Sequence, residues 1–429
     1  MRLTVPEIDC SNGFTTDNDI FERRKFSVQL ERLIDTCEDQ SLVIALNDKW
    51  GNGKTTFLKM WEAQIKNEDK FKVVYFDAFK NDFQADPFIA ISSHIYATIE
   101  KEELKKEYLK ATKNLAKVLI KTSLKVGVSA LTLGVLKGTD FEDLGEDIKS
   151  SINDPLGNYI EEKLTKHDNE IRTLESFKST LSEIGKDKKL IFIIDELDRA
   201  RPDYSLELLE RIKHVFNTEN IFFVLSVEKE QFKHVIRKTY GEIDAELYLN
   251  KFIHLWYRLP QIDDPEREVY TLNKYISYIN KKLLTRTLEL KHSLESLAYL
   301  LRVNKFTLRD AERCYSMLLL CNANMENGYR WEYQIGVAIV AFLNLKDEKI
   351  VHLIKSKEIS KEELINHLGI NSGFNDDNYH IYLALNTEFM TKDEFRTAKL
   401  NLDQMIFDDT RQLKTISEAA KVISGLDIQ

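Results

Sequence analysis

The sequence predicts an α/β fold: a mainly parallel sheet with a large helical insertion, followed by an all-helical C-terminal domain. Three observations predict it. Short apolar runs at residues 42–46, 71–77, 189–194 and 221–227 have the length and the β-branched or aromatic content of buried strands. The segments between them carry helical periodicity, and strand–helix alternation is the pattern of parallel crossovers. From Asp263 onward the pattern stays helical, with few glycines and no strand-like alternation.

Length and composition set the outer bounds. A chain of 429 residues accommodates two domains. We place them at residues 1–262 and 263–429, with the insertion at about residues 88–186. A hydrophobic content of 43% suffices for real cores, and a formal net charge of −9 excludes bulk attraction to polyanions. Cys10, Cys37, Cys314 and Cys321 form no metal-like pairs, and Cys314 and Cys321 are spaced to stack on one helix face. A reducing cytoplasm and no signal peptide are expected.

Residues 1–19 read as irregular, with turn signals at Asn12-Gly13 and Asp17-Asn18-Asp19. A helix follows over residues 20–37, because Phe26, Leu30, Leu33, Ile34 and Cys37 recur at helical spacing. The first strand then runs into a tight glycine loop, residues 48–53. A helix opens at Lys54, Thr55 and Thr56 and turns Phe57, Leu58, Met60 and Trp61 inward. Gly51 and Gly53 let successive N–H groups point into one concavity, and the helix N-terminus adds partial positive charge there. This is the layout of a phosphate-binding loop. Trp50, Gly51, Asn52, Gly53, Lys54, Thr55 and Thr56 form the cradle. Lys54 is expected to reach the β- and γ-phosphates, and Thr55 to place its hydroxyl on Mg²⁺. The usual pattern has glycine at position 48, where this chain has Asp48. Aspartate tolerates a left-handed backbone, provided its carboxylate faces away from the triphosphate. The cluster Arg23, Arg24 and Lys25, just upstream, is either solvated charge or a contact to adenine or phosphate.

The strand at residues 71–77 ends in Asp77, a candidate for the Mg²⁺ shell or for a turn cap. A helix from about Phe88 opens the insertion. Within it Lys113, Lys117, Lys121 and Lys125 recur every four residues, one basic stripe on an amphipathic helix. Such a stripe fits a solvated face, an anionic membrane surface, nucleic-acid phosphates or a protein partner. The charge-free run at residues 126–136 is only eleven residues long, too short to span a bilayer. Asn153-Asp154-Pro155 marks a break before a helix over residues 156–184.

The strand at residues 189–194 delivers Asp195 and Glu196 at its end. Asp195 is placed to hold the water shell of Mg²⁺, and Glu196 to act as general base on the attacking water. A helix over residues 205–216 leads to the strand at 221–227, where Ser226 can meet the γ-phosphate or the water. Helices follow at residues 229–240 and near Glu246. The alternation at residues 252–259 reads as a final strand ended by Pro260. Beyond it, Leu308 opens one of the later helices, and residues 371–378 form a loop.

These residues resemble the KAP P-loop NTPases. The resemblance rests on Trp50-Gly51-Asn52-Gly53-Lys54-Thr55, Phe76-Asp77-Ala78-Phe79, Asp195-Glu196-Leu197-Asp198-Arg199 and Val224-Leu225-Ser226-Val227-Glu228. It is supported by Tyr248-Leu249-Asn250-Lys251-Phe252 with Leu259-Pro260, and by Leu308-Arg309-Asp310-Ala311-Glu312-Arg313. It implies an additional-strand ATPase with a helical insertion between its nucleotide motifs, ATP rather than GTP, and a bacterial antiviral role. Many members carry transmembrane helices in the insertion; without a long enough run, this chain is expected to be soluble, cytoplasmic or peripheral at the inner face of the membrane. The resemblance also makes Arg199 and Arg309 candidates for neutralising charge on the γ-phosphate, in cis or from a neighbouring subunit. The plain alternatives are an ion pair of Arg199 with Asp198 or Glu207, and a helix-start charge at Arg309.

The resulting expectation is an Mg·ATP-binding hydrolase whose helical C-terminal domain senses the nucleotide and whose output is assembly or a partner. Two other classes compete: a nucleotide-gated scaffold with little turnover, and an ATP-driven nucleic-acid machine using the lysine stripe.

Overall fold

Each predicted apolar run becomes a strand, and all five strands are parallel: β1 Leu42–Asn47, β2 Phe71–Asp77, β3 Lys189–Asp195, β4 Ile221–Val227 and β5 Leu255–Tyr257. The computed structural model of the chain describes residues 4–38, 40–67, 70–84, 86–125, 155–264, 269–283, 290–323, 331–370, 378–395 and 414–425. The strand order is β2-β3-β4-β1-β5. Thus β4, which ends near Ser226, separates the glycine-loop strand from the strand that ends in Asp195.

Alternate residues of the sheet feed two cores, as the period of two requires. Ile44, Leu46, Ile191, Ile193, Phe222 and Val224 pack with helices α1 Arg24–Thr36 and α2 Lys54–Lys66. Val43, Ala45, Phe192, Ile194, Phe223 and Leu225 face the opposite side. There they meet α4 Pro87–Thr98, α5 Glu102–Lys125, α6 Pro155–Asp187, α7 Pro202–Arg211, α8 Lys229–Tyr240 and α9 Ala245–Asn250, with the short α3 Ala78–Asn81 at the end of β2. Burying each large apolar side chain contributes about 1.5–3 kcal/mol, so these strands have no solvent-facing side to lose.

A third core lies among α10 Thr271–Leu283, α11 Lys291–Val303, α12 Leu308–Ala323, α13 Trp331–Lys346, α14 Glu348–Ser356, α15 Lys361–Leu368, α16 Tyr379–Phe389 and α17 Thr415–Ser424. Residues 334–343 of α13 are buried without interruption. A helix apolar on all sides belongs at the centre of such a bundle. Cys314 and Cys321 are both buried on α12, as their spacing predicts.

Some expectations need correction. The first helix starts at Arg24 rather than residue 20, because the Asp19 carboxylate takes the N–H groups of Arg23 and Arg24 (2.7 and 3.1 Å) and Glu22 is left-handed. The helix expected from residue 205 starts at Pro202, where a proline is preorganised for the first turn, and its end widens into a π-turn, Ile212–Phe216. The final strand covers only Leu255–Tyr257; upstream of it the His254 ring Nδ1 accepts the Val43 N–H at 2.9 Å. The C-terminal half is not purely helical, since β6 Asp263–Asp264 and β7 Val269–Tyr270 form a small antiparallel ladder. Residues 126–136, Asn153, Asp154 and residues 371–377 lie outside the described set, as do the side chains of Lys121 and Lys125. Lys113 and Lys117 are exposed on α5. Among the described residues, no helix is long and apolar enough to cross a membrane.

Candidate functional site

The glycine loop is held from three sides. Gly51 (φ 90°) and Gly53 (φ 83°) take the left-handed backbone that a side chain resists. A Cβ on Gly51 would lie 2.7 Å from Arg309 Cβ, and one on Gly53 would lie 3.2 Å from Arg23 Nη1. Gly53 is the N-cap of α2 and offers no capping side chain. The first N–H groups of that helix have no intrahelical acceptor and form a ready anion site.

Asp48 is not left-handed, so position 48 places no demand for glycine here. Its Oδ1 accepts the Lys49 N–H (2.8 Å) and the Asn52 side-chain amide (2.6 Å). This turns Asp48 and Asn52 toward the far side of the loop, where they border a second cavity of about 770 Å³ beside Arg258 and Lys305. Asp48 and Asn52, the latter expected in the cradle, border this cavity and not the one that Gly51, Gly53 and Lys54 line. Lys54 Nζ donates to the carbonyls of Asp48 and of Lys49 (3.2 Å). Burial lowers its pKa, while Asp198, Asp48, Glu228 and Asp195 act the other way.

Arg23 was legible only as part of a basic cluster. It is buried, donates Nη1 to the Asn52 carbonyl (3.1 Å) and Nε to the Pro260 carbonyl (3.3 Å), and lies over the Phe21 ring. Burial pushes its pKa down to about 10, against the opposing pull of Asp48 and Asp19. It braces the loop from below. Its neighbour Lys25 pairs instead with Glu22 at 2.7 Å on the surface.

The carboxylates converge at the strand ends. Asp195 is buried; its Oδ1 accepts the Glu196 N–H (2.9 Å) and its Oδ2 accepts the Tyr75 hydroxyl (2.6 Å). Tyr75, on β2, carries no motif and was not anticipated. Glu196 has φ 55°, an unusual backbone for a side-chain-bearing residue, and pairs with Arg199 Nη1 at 2.9 Å. Its carboxyl is raised above the usual range by burial first, with Arg199 pulling it down and Asp195, Asp77 and Asp198 adding to the rise. The Arg199 partner is therefore Glu196, not Asp198 or Glu207; Glu207 pairs with Arg211. Asp198 Oδ2 accepts the Trp50 indole N–H and the Glu228 N–H, each at 2.7 Å, and the Trp50 N–H goes to Glu228 Oε2 at 2.9 Å. Burial raises the Asp198 carboxyl, partly offset by those donors and by Lys54. Asp77 caps α3, accepting the Lys80 N–H at 2.9 Å and pairing with Lys80 Nζ.

One cavity of about 440 Å³ joins these parts. Trp50, Gly51, Gly53, Lys54, Thr55 and Thr56 border it from the loop, with Asp195, Glu196, Arg199 and Ser226 from the strand ends and Arg309 from α12. Its remaining wall is mixed: Val5, Ile8, Ile20 and Phe21 of the N-terminal segment lie beside Asp19 and Arg23. That N-terminal wall had no periodic signal in the sequence. The volume falls within the usual range for small-ligand sites, about 300–1,000 Å³. The donor set fits a hard divalent cation next to phosphate: Asp195 presents an oriented carboxylate, and the Thr55 hydroxyl sits at the helix start on the same cavity.

Comparison with known proteins bears on this site. The KAP family P-loop domain pattern matches residues 23–325. No curated protein matches the chain. Among solved structures, the Aeropyrum pernix ORC2 protein in its ADPNP–ADP complexes aligns at 14% identity over 99% of this chain and 89% of that one, with a TM-score of 0.37. Cdc6p from Pyrobaculum aerophilum aligns at 14% identity over 98% and 99%, with a TM-score of 0.40. Drosophila ORC bound to DNA aligns at 11% identity over 95% and 99%, with a TM-score of 0.35. Similarity at these TM-scores carries nothing about ligands or partners.

Proposed function

Because the chain belongs to the KAP family of P-loop domains, we propose that it binds Mg·ATP in the 440 Å³ cavity, hydrolyses it, and passes the nucleotide state to its helical half. The observation that carries this reading is convergence: Lys54 and Thr55 from α2, Asp195 and Glu196 from the end of β3, Ser226 from β4 and Arg309 from α12 border one cavity.

Lys54 and the first N–H groups of α2 hold the phosphates, and the apolar side chains of the N-terminal lining, Val5, Ile8 and Phe21, pack against the base. Thr55 and Asp195 would hold Mg²⁺, which would supply charge neutralisation to the phosphates. Ser226 orients the attacking water. Glu196 accepts its proton as the water oxygen bonds to the γ-phosphorus; the bond from that phosphorus to the bridging oxygen breaks, and ADP leaves with the electron pair. Lys54, Arg199 and Arg309 offset the charge that develops. A nucleotide unit at residues 1–262 and a helical unit at 263–429 suit this reading, supported by the separate helical core. A role in anti-phage defence rests on the family resemblance and is read by plaque counts with and without an active site.

Mg²⁺-dependent ATP turnover beside Glu196→Gln is the direct test. The variant should lose on the order of 10²-fold or more in rate while keeping nucleotide affinity. Equal turnover in both proteins would remove Glu196 from the chemistry. One observation favours a second reading, a nucleotide-gated scaffold with little turnover: the proposed base is already engaged by Arg199. Tight binding with no turnover in the parent would select it.

A further inference from the structure

Arg199 pairs with the Glu196 carboxylate at 2.9 Å. Both side chains border the cavity that Lys54 and Thr55 also line, so an anion bound there would compete for the guanidinium. That guanidinium also lies over the indole of Trp50, 5.4 Å from the ring centroid. Trp50 itself is fixed at two points, through its N–H to Glu228 and its indole N–H to Asp198. The guanidinium therefore has a rigid aromatic surface along which to exchange partners. Neither member of the ion pair is locked in: the Arg199 and Glu196 side chains are 28% and 22% exposed. Glu196 is less free, because its left-handed backbone (φ 55°) fixes where its side chain starts. Such strain collects where a side chain must be aimed.

Resting on the nucleotide reading above, we propose that Arg199 is a latch on Glu196, and that a terminal phosphate in the cavity draws the guanidinium off the carboxylate and so frees the base. Trp50 is the positioning residue that guides the exchange. A carboxylate oxygen engaged by a guanidinium at 2.9 Å is not free to take a hydrogen bond from the attacking water. A terminal phosphate carries more negative charge than a carboxylate and presents the geometry a guanidinium fork prefers. The substrate itself would then switch on the base, whereas a diphosphate, lacking the terminal group, would leave the latch closed.

Trp50 makes the exchange visible, since moving a cation off an indole face changes that indole's surroundings. The experiment compares tryptophan emission of the full chain with ADP and with a non-hydrolysable triphosphate analogue, both with Mg²⁺, while calorimetry measures binding of each. The expected result is an emission change with the analogue that ADP does not give, lost in Trp50→Phe and in Arg199→Gln. Glu196→Gln, nearly isosteric, provides the second variant: its emission before any nucleotide is added should already have moved toward the analogue-bound value. Equal changes with ADP and analogue, or a difference that survives Arg199→Gln, would overturn the latch and leave the nucleotide reading standing. Absence of calorimetric binding by either nucleotide would overturn both.

Discussion

Asp195 has both carboxylate oxygens engaged before any ligand is considered, one by the Glu196 N–H and one by the Tyr75 hydroxyl. Such partners orient a metal ligand and set its basicity, and removing one typically costs about 10–100-fold in metal affinity. Tyr75→Phe keeps the ring in its strand and removes only the donor. The Mg²⁺ concentration needed for half-maximal nucleotide binding should rise by about that factor, and an unchanged Mg²⁺ dependence would take Tyr75 out of the site. Glu196 supports a second expectation at this scale. Burial raises its carboxyl, so protonation begins at higher pH than for an ordinary glutamate. A base fails once protonated, so the acid limb of the turnover profile should lie above the usual glutamate range. In the nucleotide-free protein Arg199 pulls that carboxyl down, so Arg199→Gln should move the acid limb of kcat/KM, which reports the free enzyme, further up. A limb at the ordinary position in both proteins would exclude Glu196 as the titrating base.

At the scale of elements, α1 and α2 are joined by a buried carboxylate. Glu31 accepts the indole N–H of Trp61 and the side-chain amide of Gln64, both at 2.9 Å. Trp61 is fully buried against Phe57 and the sheet, so its N–H has no route to water. Glu31→Ala should cost about 1–3 kcal/mol in the unfolding of the sheet unit, the usual penalty for orphaning a buried donor; a change of a few tenths in a urea titration would show that the bond contributes little. This element pair also shows what the sequence reveals. The apolar faces of α1 and α2, the strands and the loop at residues 48–53 are written in local spacing, and local spacing is legible. Glu31 reads there as one more charge on a helix. Arg23, Tyr75 and the N-terminal lining from Val5 to Phe21 are equally silent, because each gains its role from residues far along the chain: Arg23 from Pro260, Tyr75 from Asp195. Asp48 misled for the opposite reason. The motif suggested a glycine-like conformation, but in this loop Gly51 and Gly53 carry the left-handed turns.

Across the whole molecule, the nucleotide loop and the helical bundle share atoms at one seam. The Arg309 N–H donates to the Gly51 carbonyl at 3.3 Å, and Lys49 Nζ donates to the Lys305 carbonyl at 3.0 Å. Gly51 lies so close that an added methyl would meet Arg309 Cβ at 2.7 Å and Thr307 Oγ1 at 2.9 Å. The absence of a side chain at position 51 therefore serves the seam as well as the loop. A ligand that orders the loop should also order the start of α12, and binding at about 100 times Kd should stabilise the nucleotide unit by about 2.7 kcal/mol. In the parent chain, saturating nucleotide should slow amide exchange in α2 and in α12 together. Gly51→Ala adds a strained left-handed alanine, about 1–2 kcal/mol, and a collision with Arg309. It should weaken nucleotide binding and, at concentrations that restore saturation, leave the protection of α12 unchanged while α2 still responds. Protection that spreads to α12 in the variant as it does in the parent would mean that the two halves communicate elsewhere. The 770 Å³ cavity on the far side of the loop, between Asn52 and Lys305, would then be the next route to test.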